Sequence, residues 1–151
     1  MKATQNLSDI LRRVSAETLE NLAFTELADS HRTDFAGAAD AYRGCRISMG
    51  TLGTLNLAVS HDFLTEIAGI LFQGADGLDP SVLTEDALNE LANIIAGRFL
   101  EALFQGGSDF EMGLPEPHLD GASWAAMPVK CVLQSPEGGE MAVGIAPAAE
   151  L

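Results

Sequence analysis

At 151 residues the chain is long enough for one domain with a hydrophobic core. An apolar content of 47% beside 20% charged residues excludes a disordered or fibrous chain. The formal charge of −14, from 22 acidic against 8 basic residues, repels phosphate backbones and argues against nucleic acid as a partner. No apolar stretch approaches the roughly 20 residues that a membrane helix needs, and Met1 leads into a polar segment without an apolar signal region, so a cytoplasmic location is expected.

Taken in chain order, Leu7, Ile10, Leu11, Val14, Leu19 and Leu22 recur at helical spacing and predict a helix from Asn6 to about Leu22, capped by Ser8 or Asn6. The stretch 31–39 lacks periodicity and reads as an irregular connection. Tyr42 to Met49 and Leu55 to Val59 are strand-like runs joined by Gly50-Thr51-Leu52-Gly53, which predicts a β-hairpin. A second helix is expected from His61 to Gln73, with Gly74 as its stop, followed by a linker over residues 74–81.

The third helix is predicted over 85–104, with Thr84 as cap, Glu85 and Asp86 at its positive end and Gly106-Gly107 closing it. Strand-like pieces follow at Phe110 to Leu114, Trp124 to Met127, Val129 to Gln134 and Met141 to Ile145, with Pro136 to Gly139 turning the last pair. Helices early and strands late imply a single α+β domain over 1–151, a mainly antiparallel sheet packed against about three helices. Cys45 and Cys131 lie in strand-like runs, without the close spacing of a metal knuckle or redox dithiol, and read as buried free thiols.

On a wheel at about 100° per residue, Asp86, Glu90, Asn93 and Gly97 share a stripe about 60° wide. Leu88, Leu91, Ala92, Ile95, Phe99, Ala102 and Leu103 form the opposite arc, which is expected to pack on the sheet and turn the polar stripe outward. A glycine inside a helix is costly, so Gly97 marks either a close approach or plain tolerance. Leu100 and Phe104 fall near the same stripe and make its far end partly apolar, as a docking surface or dimer contact requires.

The run from Asp86 through Glu90 and Asn93 to Gly97 resembles the active-site helix of the CheC, CheX and FliY chemotaxis phosphatases, whose motif is Asp or Ser, three residues, Glu, two residues, Asn, and a later Pro. Pro115 and Pro117 lie on either side of the spacing that the family's proline keeps, a departure from the pattern. The order of helix, Gly-linked hairpin, helix, motif helix and late strands is similar to a CheX-like domain over most of the chain.

That resemblance implies a phosphatase acting on the phosphoaspartate of a CheY-like response regulator. It implies Glu90 and Asn93 as catalytic, with Asp86, Gly97 and Pro115 contacting the partner. Mg2+ would be supplied by the response regulator, and the chain would need no cofactor of its own. It further implies one motif per chain and a homodimer. A non-catalytic scaffold or receiver-binding domain, related to flagellar switch components, is the alternative.

A second motif is not intact: Asp62, Glu66 and Gly69 keep the spacing without the Asn, and the first helix has Asn21 but Thr18 where a Glu is needed. His31, His61 and His118 are too scattered for a metal site. Trp124 reads as a core or interface anchor.

Overall fold

Alternation along the strands decides which face of the sheet the helices cover. The computed structural model describes residues 2–30, 41–73, 79–104, 111–120, 124 and 126–147. In β3 (Thr54–Ser60), Leu55, Leu57 and Val59 enter one apolar cluster while Ala58 enters another. In β6 (Glu140–Ala146), Met141, Val143 and Ile145 join the first and Ala142 the second. Three helices, α1 (Lys2–Ala23), α2 (His61–Leu71) and α3 (Pro80–Phe104), cover the first face. Trp124, Met127 and Leu119 cover the second.

The strands are completed by β1 (Ala28–Asp29), β2 (Tyr42–Ser48), β4 (Glu116–Pro117) and β5 (Val129–Gln134), giving a six-stranded sheet in the order β1-β5-β6-β3-β2-β4, antiparallel at every pairing. The α+β architecture expected from the sequence is therefore present. No helix among the described residues is long and apolar enough to cross a membrane.

Both hairpins form where the glycines place them. Met49 N–H donates to Gly53 O at 2.8 Å in one and Ser135 N–H to Gly139 O at 2.7 Å in the other. Gly50, Gly53 and Gly138 take the positive φ that these turns demand.

The strand order hides an internal two-fold. Exchanging β1 with β4, β2 with β5 and β3 with β6 reproduces the order, so the halves α1-β1-β2-β3 and α3-β4-β5-β6 are related about the β3–β6 pairing. Leu57 pairs with Val143 at its centre. Their separation in the chain is also that between Cys45 and Cys131 and between the ends of β3 and those of β6. The helices obey the same relation, α3 lying over β2 and β3 and α1 over β5 and β6.

Several boundaries differ from the sequence reading. The first helix begins at Lys2, ahead of the caps expected at Asn6 or Ser8, and ends at Ala23, the next residue, Phe24, taking a left-handed φ of 54° without a glycine. The second stops at Leu71 rather than Gln73, Phe72 N–H still donating to Ala68 O. Gly74, Gly106, Gly107, Phe110 and residues 31–39 lie outside the described residues.

The third helix starts at Pro80 rather than after Thr84, because Asp79 Oδ1 accepts from Ser81 N–H and from Ser81 Oγ, both at 2.9 Å. Thr84 is a helical residue whose hydroxyl donates to Ser81 O. Residues 111–114 and 126–127 are not strands. Trp124 N–H donates to Asp120 O and Met127 N–H to Trp124 O, a turn that seats the buried indole against Gly144 on the second face. Trp124 is thus the core anchor the sequence indicated.

The Ser81 backbone N–H, and then its hydroxyl, hold the Asp79 carboxyl below its usual range. A folded value depressed in this way makes the cap's contribution complete above the unfolded value, and the contribution fades as pH falls through the folded one. Asp79→Ala is expected to lower Tm at pH 7, with the gap to wild type narrowing as thermal melts are taken below about pH 4.

Candidate functional site

The rotation of α3 follows from what it buries. Leu88, Leu91, Ala92, Ile95 and Phe99 are buried in the helix-side core, and Ala102 and Leu103 pack against it, as their arc on the wheel predicts. Ala87, Ala96 and Leu100 are buried too, so Leu100 belongs to the core and not to the outer stripe. Packing by α1, α2, β2 and β3 encloses more of the helix than a one-sided packing would. Each fully buried large side chain contributes about 1.5–3 kcal/mol, so turning α3 on its axis would cost several such burials. Cys45 on β2 adds a contact, its Sγ donating to Leu88 O at 3.8 Å.

With that arc held inward, Asp86 and Glu90 are exposed, while Asn93 and Gly97 are half-buried. The stripe therefore has a solvent edge, continued by exposed Glu101, and an inner edge that ends in buried Leu100. Glu90 and Asn93 stand just under one turn apart, about 4.5 Å of rise, with the carboxylate exposed and the carboxamide half-buried.

The chain following α3 returns along the stripe. Met112 Cε lies 3.9 Å from where a Cβ on Gly97 would sit, so the group that approaches this glycine is the chain's own methionine. Gly113 N–H donates to Ser48 O at 3.0 Å, Glu116 and Pro117 pair with Arg46 and Cys45, and His118 N–H donates to Gly44 O at 3.1 Å. The Arg46 guanidinium and the Glu116 carboxylate add an ion pair of 2.7 Å at this edge. Gly97 opposite Met112 at one end, and Leu88 opposite Cys45 at the other, make this segment antiparallel to α3. Pro115 is half-buried between Met112, which touches the helix at Gly97, and the β4 pairing with β2. The sequence reading takes residues 110–114 as a strand and so overlooks Met112 and Leu114; the alternation of Phe110, Met112 and Leu114 imitates a strand, and no signal in the sequence sets them apart.

The internal two-fold locates the counterpart of this site on α1. Counting back from the last residue of each helix sets Asp9 opposite Glu90 and Arg12 opposite Asn93. The same alignment superposes buried Leu11, Val14, Ser15, Thr18 and Leu19 on buried Ala92, Ile95, Ala96, Phe99 and Leu100. Arg12 is occupied by ion pairs to Asp9 at 3.1 Å and Asp29 at 3.4 Å. The position matching Asn93 is therefore Arg12, not Asn21, and no carboxamide is offered there. Thr18 is buried, donating to Val14 O and accepting from Arg98. On α2, Asp62, Glu66 and Gly69 are all exposed, with open space beside Gly69.

His61 is exposed at the start of α2, His118 is half-buried beyond β4, and His31 lies outside the described residues. No group of three or more His, Cys, Asp or Glu side chains converges among the described residues. Cys45 is buried and Cys131 half-buried rather than buried; both are free thiols, and burial pushes each up to about 12.

No protein-family model matches the chain, and no curated protein matches it by sequence. Solved structures do. A CheX from Vibrio vulnificus superposes with a TM-score of 0.68 at 16% identity, covering 93% of this chain and 96% of that one. The CheX-CheY-BeF3-Mg2+ complex from Borrelia burgdorferi gives 0.67 at 15% identity, covering 91% and 95%. A CheX from Desulfovibrio desulfuricans gives 0.66 at 13% identity, covering 93% and 99%. The chain has the CheC/CheX-like fold.

Two substitutions test how the flanking segment is seated. A Cβ on Gly44 would run into the His118 carbonyl, so Gly44→Ala is expected to cost about 1–3 kcal/mol in denaturant unfolding by forcing the segment off β2. At Gly97 the nearest atom is an ordinary van der Waals neighbour, so Gly97→Ala is expected to gain about 1 kcal/mol from helix propensity, read as a higher unfolding midpoint.

Proposed function

We propose that the chain is a phosphatase for the phosphoaspartate of a CheY-type receiver domain and works in the cytoplasm. The observation that carries this reading is the pair Glu90 and Asn93, one turn apart on the outward stripe of a helix whose other side is locked in the core. The fold shared with the CheX of a CheX-CheY-BeF3-Mg2+ complex supports it, because BeF3 has the shape and charge of a phosphoryl group.

The chemistry asks little of this chain beyond placement. A phosphoaspartate is an acyl phosphate with a good leaving group, and Mg2+ held by the receiver offsets the phosphoryl charge. What remains is to hold a water in line with the bond that breaks. A carboxamide suits this, since Asn93 can accept a hydrogen bond from the water through its oxygen and donate one to a phosphoryl oxygen through its nitrogen. Water attacks phosphorus, the P–O bond to the aspartyl carboxylate breaks, and the products are free carboxylate and inorganic phosphate.

Glu90, exposed on the solvent edge of the stripe, would pair with the lysine that receivers carry beside their phosphoaspartate, and so set the depth to which Asn93 enters. Asp86 would extend the same acidic edge by one turn. Gly97 keeps that part of the helix low beneath Met112, and Pro115 would border the contact.

The test follows loss of phosphate from a phosphorylated CheY-type receiver with and without the protein. Asn93→Ala is expected to remove about 100-fold of the acceleration while the receiver still binds. Glu90→Ala is expected to act mainly by raising the receiver concentration needed for half-maximal rate. Full activity in Asn93→Ala would refute the assigned mechanism, and binding by wild type without acceleration would favour a receiver-binding scaffold.

A further inference from the structure

Five large apolar side chains stand exposed among the described residues: Phe24, Val82, Phe104, Met112 and Leu114. Three of them lie along the α3 stripe, and a fourth, Leu114, sits on the segment that crosses it. Val82 and Phe104 lie at opposite ends of the α3 stripe, in helical phase with Asp86, Glu90, Asn93 and Gly97. Met112 crosses at Gly97, and Leu114 immediately precedes Pro115 on the returning segment. Leu114 is 88% exposed although its neighbours on both sides are tied to β2, by the Gly113 hydrogen bond and by the β4 pairing. Its outward position is thus set by a fixed backbone.

We infer that Leu114, with Met112 and Phe104, is an apolar anchor for the receiver, dividing the work on this face: apolar residues supply affinity while Glu90 and Asn93 supply chemistry. This rests on the phosphatase reading above and adds the residues that determine how tightly the receiver is held.

The occupant is fixed by charge. The framed face carries the exposed carboxylates of Asp86, Glu90 and Glu101, ranged along the solvent edge of the α3 stripe. A second copy docking here about a two-fold axis would set this acidic edge against its own copy, a repulsive arrangement. A receiver brings a lysine to the centre and Mg2+ beside it, so the same carboxylates become attractive. Apolar contacts around a charged centre also shed water from the rim and strengthen the central pairing.

The test compares Leu114→Ser and a Met112→Ser/Leu114→Ser double variant with wild type. One assay titrates a CheY-type receiver loaded with BeF3 and Mg2+; the other measures dephosphorylation rate against receiver concentration. All four apolar residues are exposed, so folding is expected to persist, and circular dichroism checks it.

The expected result is binding weakened about tenfold or more by Leu114→Ser, with KM rising in parallel and kcat within twofold of wild type. Asn93→Ala in the same pair of assays should show the reverse split, with binding kept and kcat lost. Wild-type binding by both serine variants, beside a wild type that binds and turns over, would overturn the anchor while leaving the phosphatase reading intact. Loss of self-association in the serine variants, with receiver affinity unchanged, would overturn it in favour of a contact between copies. A wild type that neither binds nor dephosphorylates the receiver would overturn both.

Discussion

The packing of α3 on the helix-side face of the sheet is the constraint from which the rest follows. Leu88, Leu91, Ala92, Ile95, Ala96 and Phe99 leave the helix one stable rotation, and that rotation directs Glu90 outward and Asn93 to the boundary of solvent. Asp79 and Pro80 fix where the helix begins and therefore the register of every residue along it. The segment 111–118, seated on β2 through Ser48, Arg46, Cys45 and Gly44, then supplies the second wall. A rigid helix and a tied-down flank make a surface whose side chains need little ordering when a partner arrives.

The internal two-fold explains why one pair and not two is present. Both halves build the same helix on the same three strands, and both present a charged side chain at the position of Glu90. At the position of Asn93 the first half has Arg12, held by Asp9 and Asp29. A guanidinium donates hydrogen bonds but accepts none, so it cannot orient a water as a carboxamide does. The two halves also differ in how they leave the helix. Phe24 turns the chain to β1 within a few residues, whereas the second half sends a longer segment back along α3. The scaffold is duplicated, and the candidate chemistry resides in one copy.

Much of this was legible in the sequence, for physical reasons that differ by element. The hairpins were read correctly because Gly50, Gly53, Gly138 and Gly139 punctuate strong alternation, and the stripe on α3 because a long helix gives its period many chances to show. The two-residue strands β1 and β4 were not, since so short a pairing is dictated by the neighbouring strand and not by local propensity. Thr84 reads as the cap because Asp79 and Pro80 fall in a stretch that reads as a linker, whereas a proline at the first helical position is an ordinary start. The two-fold left almost no trace in residue identity and emerged only from strand order and register. Co-facial Glu90 and Asn93 were foreseeable; their flank of Met112, Leu114 and Pro115 was not, because it is assembled from a segment that pairs across the chain.

The central claim is that this surface turns over a phosphorylated receiver rather than merely holding it. The most direct measurement is the lifetime of a receiver's phosphoaspartate in the presence of substoichiometric protein. The account predicts that a small fraction of one equivalent discharges the whole receiver pool, with a rate proportional to the amount of protein added. A lifetime left unchanged, or lengthened in proportion to the protein bound, would contradict it.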